Sequence, residues 1–145
     1  MERYRGYLWA LEEAGKPFDA NRILLEPEMH PDFDDPLREP IALAQRYLDQ
    51  RPDVEGVVCG QDFIARGLLH AAKDRKLRVP KDLKITGIDG FFKQPKGEVP
   101  LTTYHVPFEE LGRKVFEVLD SLRNNRFMPE LETRVRGEVV VRDSA

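Results

Sequence analysis

The feature that most narrows the fold is an alternation of two apolar patterns along the chain. Apolar runs of strand length change places with segments whose apolar residues recur at the helical period. Tyr4, Tyr7, Leu8 and Leu11 fall on one helical face, and Gly15 followed by Pro17 ends that helix. Residues 23–25 are a short apolar run, read as a strand. Pro27, Pro31, Pro36 and Pro40 then make a loop, because closely spaced prolines deny both a continuous helix and a central strand. Helical spacing resumes from Ile41 through Ala44, Tyr47 and Leu48. Residues 54–59 read as a buried strand, Ile64, Leu68, Ala71 and Ala72 as a helix, and residues 83–88 as the next strand. This order predicts βαβ units: an α/β fold with a parallel sheet and helices on both faces.

After Asp89 the pattern changes. Residues 90–100 read as a loop and 101–104 as a short strand. Pro107 opens a long helix with the stripe Phe108, Leu111, Val115, Val118, Leu119 and Leu122. Residues 131–141 alternate as a half-exposed strand does.

Composition excludes several classes of function. In 145 residues, 23 Lys and Arg face 26 Asp and Glu, and a net charge of −3 argues against free-standing nucleic-acid binding. The lone Cys59 excludes a disulfide framework and a multi-cysteine zinc site, and ending an apolar run it reads as a core residue. No apolar run approaches the ~20 residues of a membrane span. The first residues lack the apolar stretch of a secretory signal, so a cytoplasmic setting is expected.

Ligands of open parallel sheets bind beyond the carboxyl ends of the strands. Those ends present Glu26 with the proline-rich loop, then Gly60, Gln61 and Asp62, then Asp89, Gly90 and Phe91. Carboxylates, an amide and aromatic rings suit a polyhydroxylated small molecule. Asp62 reads as a helix cap or first-turn acid rather than a ligand contact. Asp89 reads equally as turn chemistry or ligand contact, and Phe33, Phe91 and Phe92 equally as loop anchors or stacking rings. No nucleophile elbow, phosphate-binding glycine loop or metalloprotease helix motif is present. His30, His70 and His105 are scattered, so no catalytic residue, cofactor or metal is expected.

Five motifs in order resemble the effector-binding module of the lactose-repressor (LacI/GalR) family. Arg3 to Gly15 resembles its R-x-x-G-F-x-x-A-L-x-x-A-G helix, and Val57 to Gly67 its apolar strand followed by N-D-x-x-A-x-G. Leu77 to Gly90 is similar to G-L-x-V-P-x-D followed by the strand ending in G-[FY]-D. Pro100 to Gly112 is similar to P-L-T-T-x-x-x-P-x-x-x-[LM]-G, and Val139 to Ser144 to L-V-x-R-x-S. Gln61 stands where the family has asparagine, and Lys76 where it has glycine.

The resemblance implies a periplasmic-binding-protein-like, flavodoxin-like subdomain in an incomplete two-subdomain module. Residues 1–89 would form the second subdomain lacking its first strand. Residues 90–126 would be a crossover with a strand and helix of the other subdomain, and 127–145 the return and final strand. In the strand order 2-1-3-4-5, residues 23–25 and 54–59 would flank an empty slot, unless the strands rearrange. Arg3, Gln61 and Asp89 take the positions of effector-binding residues, and Phe33 that of an aromatic contact. The implied protein is a homodimeric transcriptional regulator, a repressor for example, that binds a small-molecule effector such as a sugar. It would contact DNA only through a further N-terminal head, of helix-turn-helix or GntR type. A periplasmic sugar-binding protein of this fold and a flavodoxin-like enzyme fragment are the alternatives.

Overall fold

The computed structural model describes residues 2–25, 32, 34–51, 53–91, 96–124 and 132–145. In chain order the helices are α1 (Glu2–Glu13), α2 (Arg38–Gln50), α3 (Asp62–Asp74) and α4 (Phe108–Arg123). The strands are β1 (Gly56–Val58), β2 (Lys84–Asp89), β3 (Thr102–His105) and β4 (Glu138–Val140). They form one sheet in the order β1-β2-β3-β4. β1, β2 and β3 run parallel, while β4 is antiparallel to β3.

The α/β alternation and the parallel pairing of β1, β2 and β3 are therefore as expected, and β4 adds an antiparallel edge that makes the sheet mixed. Tyr104 pairs with Val139, and the Gly137 N–H donates to the Tyr104 hydroxyl at 2.9 Å, which fixes the returning strand in register. An antiparallel edge on a parallel sheet is a common arrangement in α/β folds.

The core lies between the sheet and the α2–α3 pair. Leu48 from α2, Ala65, Leu68, Ala71 and Ala72 from α3, Leu83 and Ile85 are nearly or fully buried. The helices approach closely because α3 presents a glycine at the contact: a Cβ on Gly67 would lie 2.5 Å from the Pro40 carbonyl carbon. Arg66 of α3 forks onto Glu98 at 3.1 and 3.2 Å, tying the helix to the segment that precedes β3. At the other end of the sheet the Ser144 hydroxyl donates to Ile85 O at 2.6 Å and accepts the Thr102 N–H at 2.8 Å. The chain's last residues thus bridge β2 and β3. No residue of α1 or α4 is buried, and the α4 stripe, Phe108, Leu111, Val115, Leu119 and Leu122, is exposed.

Three expectations are corrected here. Residues 23–25 form no strand; the Ile23 N–H closes the 3-10 turn Ala20–Arg22 instead, and Leu25 is 75% exposed. An extended segment needs a neighbouring strand for its backbone groups, and none lies beside this one among the described residues. β1 is not buried on both faces, since Val58 is 66% exposed on an edge strand paired only with β2. The last strand spans only Glu138–Val140 of the expected 131–141. Phe33 lies outside the described residues. No helix among those described is long and apolar enough to cross a membrane.

Both helix ends flagged by glycine signals close with the same pair of bonds. After α1, Gly15 (φ 61°) donates to Glu12 O and Lys16 to Leu11 O. After α3, Lys76 (φ 58°) donates to Lys73 O and Leu77 to Ala72 O, so a lysine occupies the left-handed position glycine normally fills. Lys76→Gly is expected to raise stability by about 0.5–1 kcal/mol, the left-handed penalty of an L-residue less glycine's extra chain entropy. Urea denaturation checks this, and a loss of stability would contradict it.

Candidate functional site

The carboxyl ends of β1 and β2 meet the N-terminus of α3, and Asp62 is the residue at their centre. It begins α3, is 4% exposed, and its carboxylate accepts the Gly90 N–H at 2.9 Å and the Thr103 hydroxyl at 2.6 Å. It is a first-turn acid, as one reading had it, but not a cap. Gln61 is the N-cap residue, with extended backbone and no side-chain cap bond. A buried carboxylate requires hydrogen-bond donors, and the Gly90 amide and Thr103 hydroxyl supply them from outside the helix. Gly87 has no room for a Cβ, because the Asp62 carboxylate occupies that space.

Asp89 ends β2 with φ 134°, a backbone conformation that L-residues rarely adopt, and Gly90 follows at φ 70°. The Asp62 backbone N–H favours the charged form of the nearby Asp89 carboxylate. A negative charge beside the start of α3 is also favoured by the helix dipole. In return the Gly90 N–H, next to Asp89, donates to the Asp62 carboxylate. The turn reading and the contact reading of Asp89 are thus compatible, since its carboxylate is partly exposed and stands 3.6 Å from the Arg3 guanidinium.

Arg3 and Gln61 both line a cavity of about 1270 Å³ between α1, residues 23–25, α2 and β1. Tyr7, Leu24, Leu43 and Val58 are among its apolar lining residues, and Ile88 brings the end of β2 to it. Asp89 joins this group through Arg3. Phe91 stacks edge-on against Phe108 with ring centroids 5.6 Å apart, an anchor between the loop after β2 and α4. The geometry thus brings together three of the four anticipated residues, Arg3, Gln61 and Asp89. Thr103 was missed, because nothing local in Leu-Thr-Thr-Tyr marks one hydroxyl as the partner of a carboxylate 41 positions earlier.

Burial raises the Asp89 carboxyl above its ordinary value, against the pull of the Arg3 charge and the Asp62 N–H, while the Asp62 charge adds to the rise. Burial, and secondarily the Asp62 charge, pushes the Cys59 thiol up to about 12. No group of His, Cys, Asp or Glu among the described residues is arranged to hold a metal.

Such a site at the strand ends of an α/β sheet belongs to a small-molecule-binding domain. The sequence profile of the family described as periplasmic binding protein-like domain matches residues 1–145, and the chain belongs to that family. Its relatives are of the LacI/GalR type, as the five motifs implied. The HTH-type transcriptional regulator RegA of Clostridium saccharobutylicum is 28% identical over 143 residues, 99% of this chain and 41% of that protein. The HTH-type transcriptional repressor PurR of Photorhabdus laumondii subsp. laumondii is 32% identical over 128 residues, 86% of this chain and 35% of that protein. Among solved structures, the transcriptional regulator CelR–cellobiose complex superposes with a TM-score of 0.80 at 25% identity, over 99% of this chain and 42% of that one. The chain thus spans less than half the length of these relatives.

Two outcomes check the electrostatics. An acid whose folded value is raised contributes stability below its unfolded value, about 3.9, and loses it as pH rises through the folded value. The Asp89 carboxyl is therefore expected to titrate above 3.8 by carbon-13 NMR, and to move higher still in Arg3→Gln. An unmoved midpoint would rule out the pair. The folded protein is expected to leave Cys59 unreacted with a thiol reagent at pH 8 and to expose it on denaturation; prompt reaction while folded would contradict its burial.

Proposed function

We propose that this chain is the effector-sensing part of a transcriptional regulator and that its effector is a sugar. The observation that carries the reading is the meeting of Arg3, Gln61 and Asp89 at the strand ends beside the cavity. A guanidinium, an amide and a partly exposed carboxylate between them donate to and accept from paired hydroxyls. The relative solved with cellobiose supports the class of ligand. Gln61, one carbon longer than the family's asparagine, would set the depth at which a hydroxyl is met.

The domain division belongs to the same proposal. Residues 1–89 form most of one subdomain, 90–126 cross to and contribute to the other, and 127–145 return. The outer edge of β1 and the apolar residues lining the cavity suit a further parallel strand of the complete protein, while Arg3, Gln61 and Asp89 take the effector. The exposed apolar stripe of α4 suits burial in the second subdomain. In the complete, cytoplasmic homodimer, a sugar closing the two subdomains would shift the population between DNA-bound and released states. DNA contact falls to a separate head, in keeping with the net charge of −3 of this chain.

Thermal-shift and calorimetric titration of the complete protein test the reading, with cellobiose, other disaccharides, phosphosugars and nucleobases as probes. A ligand at ~100 times its Kd is expected to stabilise by about 2.7 kcal/mol. Asp89→Ala is expected to weaken sugar binding at least tenfold, about 1.4 kcal/mol. Binding by a nucleobase alone would replace the sugar assignment, and silence from every class would defeat the sensor reading.

A further inference from the structure

We infer that Asp62 is a positioning residue of the effector site, and that Thr103 anchors it to β3. The inference rests on the proposed function for the word effector, but its geometry is independent of any ligand. The Asp62 carboxylate is almost wholly buried, and its two recorded donors come from different segments of the chain. Gly90 N–H belongs to the turn that carries Asp89, and Thr103 Oγ1–H belongs to the middle of β3. The Asp62 backbone N–H also favours the charged form of the nearby Asp89 carboxylate. Gln61, the other strand-end candidate, is its immediate neighbour and the N-cap of α3.

One side chain therefore sets the relation between Gln61, Asp89 and β3. The strained conformation of Asp89 needs such a clamp. With φ at 134° the residue would relax unless the following amide were held, and the Gly90 amide is held by Asp62. On the far side, Gly90 packs closely on β3, where a Cβ would lie 2.5 Å from His105 Nδ1, and its carbonyl oxygen lies 3.3 Å from that nitrogen. The Val106 N–H donates to Asp89 O at 2.9 Å, so the turn is gripped from β3 as well. Removing the Thr103 hydroxyl frees one side of the clamp while leaving every candidate ligand contact in place. Because Val106 and the β2–β3 pairing also reach Asp89 from β3, a consequence for Asp89 is assigned to Asp62 where that pairing is unchanged.

The test uses Thr103→Val, with Thr103→Ser as the conservative rescue, in the complete protein. Amide exchange at Gly90 and Asp62, followed by nitrogen-15 NMR, is expected to accelerate at least tenfold in Thr103→Val and to return in Thr103→Ser. Exchange at Lys84 and Thr86 of the β1–β2 pairing, and across the rest of the β2–β3 pairing, is expected to stay unchanged. Equal acceleration at all these sites would show a purely structural role, and no acceleration would show that the clamp does not exist; either overturns the inference. Cellobiose titration forms the second arm, with affinity expected to fall at least fivefold in Thr103→Val and to recover in Thr103→Ser. Unchanged affinity alongside faster exchange would overturn the positioning role. If cellobiose fails to bind even the parent protein, the sugar reading fails while the exchange arm still decides the clamp.

Discussion

A buried carboxylate sits where three segments of this chain converge, and the arrangement of the site depends on its being satisfied. Left without donors, Asp62 would cost several kcal/mol in the interior; paired with the Gly90 amide and the Thr103 hydroxyl, it joins the end of β2, the start of α3 and the middle of β3. Other features of the site follow. Gly87 must lack a side chain because the carboxylate fills that space, and Asp89 accepts an unusual backbone conformation because the next amide is clamped. Ser144 plays a comparable part toward the start of β2, bridging Ile85 and Thr102 through one buried hydroxyl. β2 is thereby held near both ends, and β3 at the consecutive residues Thr102 and Thr103, by polar groups 28 to 59 positions away in sequence.

Against this well-packed half, the other half is open. The α2–α3 pair closes over the sheet through alanines and Gly67, whereas β1 offers an unpaired edge to a large cavity and α1 buries no residue. The contrast has a physical origin in backbone hydrogen bonding. Residues 23–25 have the composition of a strand, but a strand is a pairing rather than a property of one segment, and no strand pairs with them among the described residues. The same logic explains why β1 is shorter and more exposed than its apolar run implied.

Much of the fold was legible in the residues. The four helices were readable from period and end signals, down to the turn at Gly15, and β2 from Leu83, Ile85 and Ile88 ahead of the turn at Asp89 and Gly90. Arg3, Gln61 and Asp89 were legible as a set only because motif order placed them, since each alone has an ordinary structural reading. The antiparallel return of β4 was not legible, as alternation marks a strand but carries no direction. Nor was the role of Lys76: its departure from glycine could be seen in the sequence, but its left-handed backbone could not.

Local pattern by itself determined where helices form, which faces are apolar, and which carboxylates and amides stand at strand ends, because these depend on neighbours within a few residues. Tertiary structure alone decided that Asp62 reaches out to Gly90 and Thr103 rather than capping its own helix. It decided too that Asp89 stands beside the start of α3 while facing Arg3. A buried charge takes the donors that folding brings to it, and those donors are distant in sequence and close only in space.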